Sequence, residues 1–568
     1  MHITSLTLRN FKAIGPTEQR IDFKPITLLY GPNSAGKSTI VQGLHYLSEI
    51  LTRNNCDPGT TQIGGKLNLG GFRNLVHLHN ADSTVELALG VALDASLLPS
   101  YVSEQECEHL LLGEVLGSEA VFDLSNVQTL EVRLGINWSH QLNSAYISSY
   151  AVEVDGHPFA QITSKADQKQ IELNQLNCSH PMFNSKLNEE EDSISVGEAL
   201  QNLLDEFTTS SGSGAQEIMV TPLQLRTGRG AMPEFGNILP LESTLEEVDP
   251  DEYKSGTAMP RLSRQAQEKI EQVQQEHEER FLKFHAMNGY ISRIIVGAGE
   301  LVRDCLQQFL YLGPLREIPG RHYSPELSPG LVRWSSGLGA WDQLYNEGEQ
   351  LAEKVNEWLA NDQRLDAGYA VHFSEYKPLP LDSPLMVALL NGGEMLEDSD
   401  WVQNQLNAIS TRRQVTLRDL HTNIDLHAED LGTGISQVLP VLVAALGHNK
   451  NIVAIEQPEL HVHPKFQVAL GELFIHAIKH EQIALDTVFI LETHSEYMML
   501  RFLRRLYETA NDELAPDAEA LEPDDIGVYY VNPAGDSVEI SHLRLTKEGE
   551  FLDRWPHGFF PERKKELF

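Results

Sequence analysis

The hydrophobic pattern divides this chain into two regular ends and a long, less regular middle. Ile3 to Leu8 alternates apolar and polar positions, as a half-buried strand does, and Ile26-Thr27-Leu28-Leu29-Tyr30 is a short apolar run that predicts a buried strand. Ile40, Leu44, Leu47 and Leu51 then recur at three- and four-residue steps and predict an amphipathic helix. The same vocabulary returns far downstream. Asn451 to Ile455 and Thr487 to Leu491 read as strands, and Val438, Leu442 and Leu446 mark a helix before the first of them. The expected fold class is α/β, a mixed sheet with flanking helices. Residues 90 to 300 carry no motif and are expected to form a mainly helical insertion. Within them a charged helix from Ser263 to Met287, with Ala266, Ile270, Val273, Phe281 and Phe284 on its apolar side, suits a short coiled-coil or bundle arm. Glu189 to Asp192, Ser210 to Gly214 and Glu242 to Asp251 read as solvated loops.

The chemistry sits at the joints between these elements. Gly31-Pro32-Asn33-Ser34-Ala35-Gly36-Lys37-Ser38-Thr39 lies between the second strand and the first helix. Glycines 31 and 36 permit backbone conformations that aim N–H groups inward, where they and the positive helix end hold phosphate. Asn33 to Thr39 are therefore candidate nucleotide-binding residues, with Lys37 directed to the β and γ phosphates and Ser38 to magnesium. The Asn451–Ile455 run ends in Glu456, a second candidate metal ligand, followed by Gln457, Pro458 and Glu459. The Thr487–Leu491 run ends in Glu492-Thr493-His494-Ser495, where His494 is placed to sense a γ-phosphate. Asp430 to Gln437 is a small-residue turn opening a helix, a second place for an anion. Lys37 and Glu456 are more than four hundred positions apart, so the intervening chain must fold back to join two halves of one site.

Composition narrows the class. The 568 residues are 41% hydrophobic and 22% charged, as in an ordinary globular protein. Forty-three basic residues stand against 81 acidic ones, a net charge of −38, which argues against wrapping nucleic acid non-specifically. The four cysteines include no C-x-x-C pair, so neither a disulfide frame nor a zinc site is expected. The first thirty residues lack the apolar core of a signal peptide, and Val438 to Leu446, interrupted by Pro440, is too short to span a bilayer. A cytoplasmic protein without membrane contact is expected.

Phosphate loop, glycine-serine turn, acidic strand end, Leu460-His461-Val462-His463-Pro464 and His494 follow one another as in the ABC-type ATPase heads of the SMC and RecF-like class, which the chain resembles over roughly residues 1 to 90 and 420 to 505. The resemblance implies ATP and Mg2+ as cofactors and a homodimer or higher oligomer through the heads, with ATP sandwiched between two subunits. It implies that Gly434 and Ser436 meet the partner subunit's γ-phosphate, that Leu460 to Pro464 forms the D-loop, and that His494 is the switch residue; a Q-loop is placed within residues 61 to 75. The related heads carry a glutamate directly after the acidic strand end, whereas this chain has Gln457, which orients water but takes no proton. Slow hydrolysis is expected, or substitution by Glu459. The implied organisation is a first half-head at residues 1–90, an insertion making partner contacts at 91–300, a second half-head at 301–510 and an extension at 511–568.

Tyr311-Leu312-Gly313-Pro314-Leu315-Arg316 with Arg321 and Tyr323, the Ile455-Glu456-Gln457-Pro458-Glu459 run and the closing Trp555-Pro556-His557-Gly558-Phe559-Phe560 look more narrowly like the PtuA-type ATPases of Septu and retron anti-phage modules. Those act beside an HNH-type nuclease subunit and, in retrons, beside a reverse transcriptase and its RNA-linked DNA. Two other readings stand beside this one: a RecF-like DNA-repair ATPase, and a scaffold locked by ATP without hydrolysis. Arg316 and Arg321 are read as structural ion-pair partners, with contact to DNA or phosphate as the alternative. Arg501, Arg504 and Arg505 form the basic face best suited to a local nucleic-acid contact. Asp524, Asp525 and Asp536 do not make the clustered carboxylates of the Toprim nuclease found in OLD-type relatives.

Overall fold

The computed structural model describes residues 1–58, 62–63, 67–93, 97–99, 101, 127–184, 195–208, 223–225, 230–241, 264–321, 323–392, 397–447, 451–480 and 487–556. Its centre is a six-stranded sheet in the order Phe309–Leu312, Ile452–Glu456, Val488–Glu492, Ile26–Tyr30, Ile526–Ala534, Ser537–His542. The first five strands run parallel and the last pairs antiparallel with its neighbour. The α/β class is therefore as expected, and the strand order explains how distant segments meet. Ile26–Tyr30 lies beside Val488–Glu492, which lies beside Ile452–Glu456, so the end of the first strand shares one edge with the ends of two strands more than four hundred residues downstream.

Both faces of this sheet are covered, which is why its strands read as continuous apolar runs. Leu29, Ile452, Ala454, Val488 and Ile490 enter one core; Ile26, Leu28, Val453, Ile455, Phe489 and Leu491 enter the other. The alternation is the two-residue period of a pleated strand. The first core also takes the Ser38–Arg53 helix, with Ile40, Leu44, Leu47 and Leu51 buried along the face that their spacing predicts. The second takes the helices Thr433–Leu446, Pro464–Lys479 and Glu496–Ala510.

An eight-stranded antiparallel sheet forms the outer layer of the first core, in the order Leu223–Gln224, Ile171–Leu176, His157–Ser164, Ser144–Val154, Thr129–Ser139, Val85–Ala92, His2–Arg9, Gln19–Asp22. The interval read from sequence as mainly helical thus contributes helices and strands alike. Its helices are Val196–Thr208 and Arg264–Gln307, the latter 44 residues long and extending well past Met287, where the sequence pattern placed its end. At 1.5 Å per residue it spans roughly 65 Å. Its C-terminal part is a core element: Ile291, Ile294, Ile295 and Val302 are fully buried, and the Tyr150 hydroxyl donates to the Ile295 carbonyl at 2.6 Å. The acidic and serine-rich stretches at 189–192, 210–214 and 242–251 lie outside the described residues, as do residues 557–560 of the closing aromatic run. Trp555, which opens that run, packs edge-on against Tyr30, Tyr530 and Phe551. No helix among the described residues is long and apolar enough to cross a membrane.

Candidate nucleotide site

Parallel strands bring their C-terminal ends to one edge of a sheet, and ligands of open α/β sheets bind there. Here that edge carries Tyr30, Glu456 and Glu492, with the 31–37 turn rising directly from Tyr30. The turn is tightly threaded. Gly31 (φ 149°) and Gly36 (φ 95°) lie in the region that favours glycine, and a Cβ at Gly31 would stand 2.4 Å from the Val531 carbonyl oxygen, one at Gly36 2.8 Å from Ala13 Cβ. Ser34 is also left-handed, at φ 62°. Asn33 and Ser34 are exposed, whereas Ala35, Lys37 and Thr39 are buried.

Lys37 is only 3% exposed and folds back into its own loop, donating to the Gly31 carbonyl at 3.1 Å and the Pro32 carbonyl at 3.0 Å. Its Nζ lies 3.7 Å from Glu492 Oε1. Ser38, at the first position of the helix, donates its hydroxyl to Glu492 Oε2 at 2.9 Å. Glu456 and Glu492 are register partners on adjacent parallel strands, so their carboxylates leave the sheet side by side. The Tyr311 hydroxyl donates to Glu456 Oε1 at 3.1 Å. Burial and the neighbouring Glu492 push the Glu456 carboxyl up to about 7, against the pull of Tyr311, Ser38 and Lys37. Burial also raises Glu492, opposed by Lys37, while burial lowers Lys37, opposed chiefly by Glu492.

The donor set fits a magnesium–nucleotide. The backbone amides of a glycine turn, a lysine and a helix start suit phosphate, and a hydroxyl with two carboxylates suits a hard divalent ion. Among the described residues no group of three or more His, Cys, Asp or Glu side chains could hold a metal, so the cation would complete its shell with phosphate and water. When bound, magnesium–ATP supplies a γ-phosphoryl group whose charge the metal helps to neutralise.

Beside this edge opens a cleft of about 840 Å³ lined by Asn33, Gln457, Glu459, His461, His494 and their neighbours. It unites four of the sequence candidates. Gln457 has a positive φ of 46° and donates its amide to the Glu492 carbonyl at 2.7 Å. His494 is exposed on the cleft, and partial burial together with Lys37 lowers its pKa. Glu459 is already engaged. One oxygen accepts from the Thr493 hydroxyl at 2.8 Å and the other from the His494 amide at 2.7 Å, so its carboxylate braces the turn after the Val488–Glu492 strand.

The small-residue turn departs from expectation in one residue. Gly434 sits at the start of the Thr433–Leu446 helix, where an added Cβ would lie 3.4 Å from the His461 carbonyl. Ser436, however, is fully buried, and its hydroxyl donates to the Ala428 carbonyl at 3.3 Å. One turn into the helix, its hydroxyl is held inside this chain, and the exposed hydroxyl-bearing residue at that helix start is Thr433. Gln437 is buried too and locks onto Arg316, accepting from its amide at 3.3 Å and donating to its carbonyl at 2.8 Å. The Arg316 guanidinium donates to the carbonyls of Gln437 (3.3 Å), Glu456 (2.9 Å) and Gln457 (3.2 Å), tying this helix to the acidic strand end. Arg321 pairs with Glu429 and Asp430. Arg501 and Arg505 pair with Glu472, and Arg504 and Arg505 with Glu508, so the basic face read from the sequence is largely neutralised. Of the stretch taken as Q-loop, residues 61 and 64–66 lie outside the described residues.

Sequence reasoning named Glu492 only as a strand end. The available signal was its position: a carboxylate closing an apolar strand, as Glu456 closes the other.

Family comparisons fall on both halves of this site. The chain matches an AAA domain family over residues 5–80, which holds the phosphate loop, and an AAA ATPase domain family over residues 346–499, which holds Glu456, Glu492 and His494. Each half of the site thus lies within a stretch that matches an AAA-type ATPase domain family. No curated protein matches the chain in sequence. Among solved structures it is similar to an SMC head bound to the C-winged helix domain of ScpA (10% identity, 96% of this chain and 99% of that one, TM-score 0.34). It is also similar to the SMC head domain from Thermotoga maritima (10% identity, 96% and 100%, TM-score 0.34). A third is an Smc head with an extended coiled coil derived from Pyrococcus furiosus, bound to the C-terminal domain of ScpA (9% identity, 96% and 96%, TM-score 0.33).

Proposed function

We propose that the chain is an ATP-binding, slowly hydrolysing head that pairs with a second copy of itself and controls a separate effector nuclease in a bacterial anti-phage complex. The observation that carries the ATPase part is the meeting of Lys37 and Ser38 with the two carboxylates at the sheet edge. Slow turnover follows from Gln457 at the place of the usual acid and from Glu459, the nearest alternative, being held by Thr493 and His494. ATP that bridges two heads binds the paired state better than the separate one, so nucleotide shifts an assembly equilibrium. The defence role rests on the resemblance of the Tyr311–Arg316 and Ile455–Glu459 segments to PtuA-type ATPases.

The test is ATP turnover by the intact chain, with and without DNA, alongside Gln457→Glu and Lys37→Ala, with molar mass measured by light scattering. Low turnover that rises in Gln457→Glu, with ATP-dependent doubling of mass lost in Lys37→Ala, is the expected result. Turnover strongly stimulated by DNA would instead favour a DNA-repair ATPase. Co-purification of an HNH-type nuclease whose activity follows the nucleotide state tests the partner.

A further inference from the structure

Gln457 leaves the nucleotide site without a carboxylate where the related heads carry one, yet the sheet edge holds a second acid. Glu492 ends the strand next to Glu456 and in register with it. Its Oε2 accepts from Ser38 at 2.9 Å, its Oε1 lies 3.7 Å from Lys37 Nζ, and its carbonyl accepts from the Gln457 amide at 2.7 Å. We propose that Glu492 is a ligand of the divalent cation that accompanies the nucleotide, completing a shell with Ser38 and Glu456. This assignment rests on the nucleotide reading above.

Three chain segments deliver oxygen to one place. Adjacent parallel strands lie about 4.8 Å apart and register partners project to the same side, so the two side chains leave backbones near enough for both to reach one ion. Magnesium takes one or two carboxylates together with hydroxyl, water and phosphate oxygens, which matches this set. Lys37 neutralises part of the pair here. A triphosphate would compete for that lysine, leaving two adjacent carboxylates whose charge a divalent cation balances. The bland alternative is that Glu492 only holds Lys37 and Ser38 in position.

The two roles separate in the linkage between metal and nucleotide. The dissociation constant of a fluorescent ATP analogue is measured for the intact chain and for Glu492→Gln, in EDTA and in Mg2+, and bound Mn2+ is counted by electron paramagnetic resonance in the presence of the analogue. As a cation ligand, Glu492 is expected to account for at least about tenfold of the tightening by Mg2+, while affinity in EDTA stays within about twofold or improves. Equal tightening in both proteins, or an equal loss of affinity with and without metal, would overturn the assignment. Circular dichroism checks the fold. If Glu492→Gln does not fold, Glu492→Asp, which keeps the charge but shortens the reach, must weaken the Mg2+ tightening and the Mn2+ signal together, and unchanged values again sink the proposal. A wild-type chain that binds no nucleotide would overturn the nucleotide reading itself; metal-linked binding indifferent to Glu492 would remove only this inference.

Discussion

Replacing Glu456 by glutamine should stabilise the metal-free, nucleotide-free protein, contrary to the usual effect of a substitution at a buried polar position. The carboxyl moves from about 4.5 in an open chain to about 7 in the fold, chiefly through burial and secondly through the adjacent Glu492. A group whose folded pKa is raised binds more protons folded than unfolded, so the wild type loses stability as pH climbs from about 4.5 to about 7 and remains penalised above that. At about 1.4 kcal/mol per pH unit the full penalty is ~3.5 kcal/mol, and discounting for partial exposure and coupling to Lys37 leaves about 2 kcal/mol. Glutamine keeps the shape and an acceptor for the Tyr311 hydroxyl but carries no charge. Thermal unfolding in EDTA at pH 8 should therefore show Glu456→Gln melting a few degrees above wild type, with the gap closing by pH 5. A variant that melts at or below the wild-type temperature at pH 8, or a gap that does not depend on pH, would refute the reasoning. Adding Mg2+ and ATP should reverse the order, because only the wild type gains the ligand's stabilisation in full.

Arg316→Met should destabilise by about 3 kcal/mol, since it strips a buried cation from three carbonyls, and chemical denaturation would register it as a lower midpoint. Gly36→Ala should weaken ATP-analogue binding by tenfold or more while costing only about 1–3 kcal/mol in stability, because its Cβ would meet Ala13 at 2.8 Å on a backbone at φ 95°; wild-type affinity by fluorescence titration would contradict this. Phe489→Ala removes a fully buried ring that packs on Phe474 with centroids 5.4 Å apart, and should cost about 3–5 kcal/mol in the same denaturation assay. Ser436→Ala should leave ATP-dependent pairing intact, whereas Thr433→Val should weaken it several-fold in light-scattering titrations, because Thr433 is exposed at the helix start and the Ser436 hydroxyl is bound inside the chain.

Several features were legible in the sequence because they depend on local order. The Gly31–Thr39 run specifies its own turn and helix start wherever the strand before it lies. The apolar runs at 26–30, 452–455 and 488–491 announce strands covered on both faces, and the spacing of Ile40, Leu44, Leu47 and Leu51 assigns a helix face that the fold buries. Leu130, Val132, Leu134 and Ile136 also repeat every second residue, but a period-two pattern says nothing about which strand will pair with which; Thr129–Ser139 finds Val85–Ala92 across a long connection and extends the sheet begun by His2–Arg9. What the tertiary structure alone decided is adjacency. Strand order places Glu492 against Glu456 and Ser38, helix phase turns Ser436 inward and Thr433 outward, and Thr493 with the His494 amide claims Glu459. Each depends on contacts between residues far apart in the chain or on the rotation of one helix against its neighbours. A side chain's chemistry is fixed by its type, but its role is fixed by the groups that reach it, and those are chosen only when the sheet closes.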